Sequence, residues 1–154
     1  MRRGTATRLW ALWLACRRVY ICIAAHGLYT KTSEGLLRIV NLVQSPCIVV
    51  NWDTGNSHIA GAEDHYEGLA RVRDHVRHVH AKDTDLLQSE RERGTVTGSP
   101  VGCASGEGVV DFKRVLEILD PVDRDVYLSE ECGTVEQAAV SLPYLESVVG
   151  DRTF

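Results

Sequence analysis

Four stretches of the chain carry apolar residues, in runs or in alternation, and then close on polar ones: residues 20–27, 47–56, 75–83 and 126–133. Residues 75–83 alternate most clearly. Val76, His78 and His80 fall on one face of an extended segment, and Arg77 and Val79 on the other. The segment ends in a cluster able to ligate or hydrogen-bond, His80, Lys82 and Asp83. Residues 47–53 are nearly all apolar, which predicts a strand buried on both faces and paired in parallel. Residues 54–56 then turn the chain.

Helical spacing fills the gaps between these strands. After the first strand, Thr32 or Ser33 can cap a helix whose stripe is Leu36, Leu37, Val40 and Val43, ended by Ser45-Pro46. Asp64 can cap a second, with Tyr66, Leu69, Val72 and Val76 at intervals of three and four. Residues 84–100 are polar and charged with Gly94, Gly98 and Pro100, predicting a long mobile loop, and residues 102–108 form a glycine-rich turn. Asp111 caps a third helix with Phe112, Val115, Leu116 and Leu119 as its buried row. Thr134 with Gln137 opens a last helix through Ala138, Leu142, Leu145 and Val149, which Pro143 should bend or split.

The pattern is α/β, four consecutive strand-helix units. Right-handed crossovers make the strands parallel. Two architectures remain open, a small open sheet with helices on both faces or part of an eight-fold barrel, which normally needs about 250 residues.

At 154 residues, with 44% hydrophobic and 25% charged positions, the chain is ordinary globular material of one-domain size. A net charge of −4 gives no support for nucleic-acid or anionic-membrane partners. Five dispersed cysteines without a C-x-x-C pair read as reduced thiols in a cytosol-like compartment. Residues 1–18 do not match the rest: Arg2 and Arg3, a short apolar run, then Arg17 and Arg18. That run lacks a small-x-small cleavage site and is too short to span a bilayer. The expectation is an incidental start forming a short helix, with a targeting segment or membrane anchor as lesser readings.

Asp53, His80 and Glu131 each stand at the carboxyl end of a different predicted strand. In a parallel barrel such ends converge on one mouth. Two carboxylates and an imidazole suit a borderline or hard divalent cation, Mn, Mg, Co or Zn. Singly, each has a plainer reading: a strand-end carboxylate is commonly a helix cap, and His78 and His80 could be one core and one solvated histidine. His58, His65 and His75 read as surface residues.

In order and spacing, residues 21–27, 50–56 with Ile59-Ala60-Gly61, 78–83, 101–112 and 128–133 resemble the carboxyl-terminal half of the xylose-isomerase-like TIM-barrel superfamily, the sugar-phosphate isomerase/epimerase group. The resemblance implies a partial (β/α)8 barrel over residues 19–154. It also implies a divalent metal held by a glutamate, an aspartate, a histidine and a second glutamate. Carried over, Asp53, His80 and Glu131 are metal ligands, and Glu131 is also catalytic, while Glu130 points away by strand alternation. The first glutamate should stand at position 24, where this chain has Ala24. Two glutamates shuttle a proton between adjacent carbons in that family, so one base and one ligand are missing. His26, two residues on, could replace the ligand in part.

Substrate contacts are assigned to His26, Asn56, Lys82 and Glu107, with plainer alternatives for each: Asn56 closing the turn, Lys82 pairing with Asp83, Glu107 stabilising its own turn. The implied activity is a metal-dependent isomerase or epimerase of a small sugar, sugar phosphate or hydroxy-keto acid. The alternative is a non-catalytic remnant or interaction module; a DNA-repair endonuclease relative is disfavoured by the acidic charge. A half barrel exposes sheet edges and interior. The expectation is therefore a truncated product, a piece completed by a complementary chain, or a homo-oligomer.

Overall fold

The structure, a computed structural model, is described for residues 19–43, 45–91, 93–94 and 102–150; the helix expected within residues 1–18 lies outside these. Strands β1 (Ile21–Ala24), β2 (Ile48–Asp53), β3 (Val76–Ala81) and β4 (Tyr127–Glu130) form one parallel sheet in consecutive order. The connecting helices are α1 (Ser33–Val43), α2 (Thr54–Ala60), α3 (His65–Val72), α4 (Leu86–Arg91) and α5 (Phe112–Leu119), with α6 (Val135–Val149) after β4. Four parallel strand-helix units in sequence order make half of an eight-stranded α/β barrel.

The helices start where side chains can take their orphan amide protons. Thr32 Oγ1 accepts from Gly35 N at α1, and Asp64 accepts from Tyr66 N and Glu67 N at α3. Asp111 accepts from Arg114 N at α5. At α6, Thr134 accepts from Gln137 N, while Gln137 Oε1 accepts from Gly133 N. Apolar faces of α1, α3, α5 and α6 pack on one side of the sheet, where Leu36, Leu69, Phe112, Val115 and Leu145 meet Val50, Trp52, Val79 and Ala81. The other side is polar toward the strand ends, with Asn51, Asp53, His78, His80 and Ser129.

Alternation in β3 is broken once. The pairing of β2 with β3 shifts between Val50↔Val76 and Asn51↔His78, so β3 holds one extra residue there. A bulge resets which side the following residues face. Val76, expected beside the two histidines, instead joins the apolar core with Val79 and Ala81.

Several other expectations are corrected. Residues 54–56 do not form a simple turn: α2 begins directly at Thr54, capped by Asp53. The expected loop at 84–100 contains α4, and its residues 95–100 lie outside the described set. Pro143 does not split α6, which runs unbroken through it, because Ala139 and Pro143 lie on the exposed side and the carbonyl left without a donor is open to water. Leu142 is exposed, and the buried row of α6 is Ser141 and Leu145. Ser141 Oγ accepts from Ser105 N, so a polar anchor sets the helix's rotation. His65 is not a surface residue: it is buried, tilted against Tyr66, with His58 edge-on at 5.0 Å.

Candidate metal centre

Asp53 is the last residue of β2 and the N-cap of α2, and the second role orients it for the first. Its Oδ1 accepts from Asn56 N (2.8 Å), and its Oδ2 accepts from the Asn56 side-chain amide. His80 lies opposite it in register on β3. His80 Nδ1 stands 3.9 Å from Asp53 Oδ2 and 2.9 Å from Glu131 Oε2. Glu131 follows β4, its N–H bound to the Ala81 carbonyl (3.2 Å). Each of the three residues offers one ligand atom, and these atoms lie within 4.8 Å of one another.

Glu131 Oε2 is buried and, despite its closeness to the imidazole, has no aligned hydrogen bond. An oxygen in that state is unfavourable without a counter-charge. The donor set, two carboxylates and an imidazole, fits a divalent cation. Burial pushes the Asp53 carboxyl up to about 7, and Glu131 adds to this, against the Asn56 amide hydrogen bonds and the Lys82 charge.

The other predicted site residues are placed as follows. Lys82 is buried, and its Nζ reaches Glu131 Oε1 (3.2 Å), so its ion-pair partner is Glu131 rather than Asp83. Asp83 is fully buried and accepts backbone N–H groups of Thr84, Gly106, Gly108 and Val110. It is the clamp of the glycine-rich turn. Gly55, on the opposite side of Lys82, leaves room for that side chain: a Cβ there would stand 2.8 Å from Lys82 Cγ.

Asn56 bridges Asp53 to His26, its amide nitrogen 3.0 Å from His26 Nδ1. His26 therefore stands at the rim, one residue removed from the carboxylates, and is not in the ligating group. Glu107 is exposed in its turn and is not brought to the cluster. Glu130 faces away, accepting from Ser105 Oγ (2.8 Å). Ala24 is half-buried and pairs in register with Asn51.

Two residues behind the cluster escape sequence reasoning. Asn51 joins both histidines, with its side-chain nitrogen 3.1 Å from His80 Nε2 and its oxygen 3.0 Å from His78 Nδ1. His78 is thus neither core nor solvated. Its other nitrogen meets Ser129 Oγ at 2.7 Å, and burial, with the neighbouring His80, holds its pKa below the ordinary value. The available signal was spacing: Asn51 precedes Asp53, and His78 precedes His80, by two residues on the same strand face.

A family profile described as "Xylose isomerase-like TIM barrel" matches residues 5–147. Inosose dehydratase from Geobacillus thermodenitrificans (strain NG80-2) is 30% identical over 100 residues, which are 61% of this chain and 33% of that protein. A D-tagatose 3-epimerase-like protein superposes with a TM-score of 0.68 at 22% identity, over 92% of this chain and 51% of its own. A xylose isomerase domain protein from Planctomyces limnophilus superposes at 0.67 and 22% identity, over 93% and 50%. The chain thus spans a third of the curated relative and about half of each solved structure.

Proposed function

The chain belongs to the xylose isomerase-like TIM-barrel family, and from that premise we propose that it is the cation-binding half of an isomerase or epimerase acting on a small sugar, sugar phosphate or hydroxy-keto acid. One observation carries the reading: Asp53, His80 and Glu131, from three neighbouring strand ends, bring their ligand atoms within 4.8 Å. The names of the similar proteins, an inosose dehydratase and a D-tagatose 3-epimerase-like protein, fit proton removal beside the carbonyl of a polyhydroxylated compound.

Mechanism follows from the residues present. Asp53, His80 and Glu131 would hold a divalent cation such as Mn, Mg, Co or Zn, which when bound would polarise the substrate carbonyl. Glu131 serves as the base, with Lys82 at its Oε1 fixing the carboxylate and leaving Oε2 toward the site. Asn56 and His26 line the rim where substrate hydroxyls would bind. A second base would belong at position 24, and Ala24 has none to offer.

That alanine favours a second reading, a non-catalytic remnant of the same fold. Adding Mn²⁺ to the natural chain and to Ala24→Glu, and measuring cation affinity and isomerase turnover, separates the two. The enzyme reading expects the substitution to raise both; a variant with neither supports the remnant.

We further propose that a second copy closes the barrel along the outer edges of β1 and β4. Ile21 and Tyr29 near the first edge, and Tyr127 and Val135 near the second, are exposed. Sedimentation should show a dimer. A monomer that binds only a separate complementing chain would assign the role to that chain. Among the described residues no helix is long and apolar enough to cross a membrane.

A further inference from the structure

Four side chains form a hydrogen-bonded row across three strands, running from Ser129 on β4 through His78 and Asn51 to His80. An amide has one donating end and one accepting end. Placed between two imidazoles, it forces opposite roles on the nitrogens that face it. As the row stands, the Asn51 nitrogen donates to His80 Nε2, so a neutral His80 carries its proton on Nδ1, the atom beside Asp53 and Glu131. His78 then donates from Nδ1 to Asn51 Oδ1 and accepts at Nε2 from the Ser129 hydroxyl.

A cation needs the His80 Nδ1 lone pair, so the proton must sit on Nε2. That nitrogen then becomes a donor and requires the amide oxygen. Rotating the Asn51 amide supplies it, but turns the amide nitrogen toward His78. His78 must then accept at Nδ1, carry its proton on Nε2, and donate to Ser129 Oγ, which a hydroxyl can accept. Each imidazole holds one proton before and after, so the row reverses without net gain or loss.

We propose that Asn51 is a positioning residue that couples the tautomer of His78 to that of His80, so that loading of the site reverses the whole row out to Ser129. This rests on reading Asp53, His80 and Glu131 as a cation site.

The test is long-range ¹H–¹⁵N histidine spectroscopy of the full chain, with and without Zn²⁺. The expected result is that Zn²⁺ converts both His80 and His78 from the Nδ1–H to the Nε2–H tautomer. A spectrum in which His80 converts and His78 keeps its Nδ1 proton overturns the coupling and leaves the cation site intact. Zn²⁺ that leaves His80 unchanged overturns the cation site, and the coupling with it. Two variants add an independent reading. Asn51→Leu should weaken Zn²⁺ binding by about 10- to 100-fold, as loss of a ligand's outer partner does. Asn51→Asp, accepting at both ends, should hold His80 as Nε2–H before any Zn²⁺ is added and leave His78 as Nδ1–H throughout. Equal Zn²⁺ affinity in the natural chain and Asn51→Leu would also refute the role.

Discussion

Replacing Asp53 with asparagine isolates the electrostatic cost of burying this carboxylate. Asparagine keeps the cap on α2, since it is as good an N-cap residue as aspartate. The native carboxyl is raised by burial from 3.8 to about 7, so the folded chain holds a proton that the unfolded chain has already lost. Stability therefore falls as pH rises between about 4 and 7 and levels off above. The difference corresponds to roughly 4 kcal/mol.

The raw pH profile would hide this. Burial, with the neighbouring His58, depresses His65 from 6.5 to about 4. That loses stability as pH falls through nearly the same window. The difference between the natural chain and Asp53→Asn removes the His65 contribution. Urea unfolding by circular dichroism from pH 4 to 8.5 should show the variant gaining on the natural chain by several kcal/mol toward pH 8. Mn²⁺ at a hundredfold its Kd should return about 2.7 kcal/mol to the natural chain alone. A difference curve flat to within about 1 kcal/mol would refute a carboxyl raised by burial.

Three further outcomes are expected. His65→Phe should gain stability relative to the natural chain as pH falls from 6.5 to about 4, read as the difference between paired thermal melts across that range. Asp83→Asn should cost about 3 kcal/mol by weakening charge-assisted bonds to buried amides, and hydrogen exchange should quicken at Gly106, Gly108 and Val110. Gly55→Ala should cost about 1–3 kcal/mol as an overpacked site, and should lower Mn²⁺ affinity, measured calorimetrically, because the new methyl displaces Lys82 from Glu131.

What the sequence made legible divides by the kind of force involved. Helix α5 was readable in full, because its cap, Asp111, and its apolar row of Phe112, Val115, Leu116 and Leu119 agree. Strand β2 was readable because burial on both faces leaves a nearly all-apolar run, with Asn51 as its one polar residue before the terminal Asp53. Helix α2 was not: Thr54, Gly55, Asn56 and Ser57 have turn propensities, and the Asp53 cap with tertiary burial overrides them. The convergence of Asp53, His80 and Glu131 was visible as three strand-end positions. The row behind it was hidden, since Asn51 and His78 become partners only through strand pairing.

That pairing depends on one residue. Without the extra position in β3, Asn51 would lie opposite Arg77 and Asp53 opposite Val79, continuing the register set by Val50 and Val76. The imidazoles would then fall out of line with both. With it, His78 meets Asn51 and His80 meets Asp53, while Val76, Val79 and Ala81 still reach the apolar layer. The bulge thus satisfies two demands that strict alternation sets against each other, an apolar root for the strand and a pair of histidines facing the barrel interior. Bulges recur beside functional sites because they re-aim side chains at little cost to the sheet. Here the re-aimed side chains are the two imidazoles, one directed at the carboxylates of Asp53 and Glu131 and the other at Ser129.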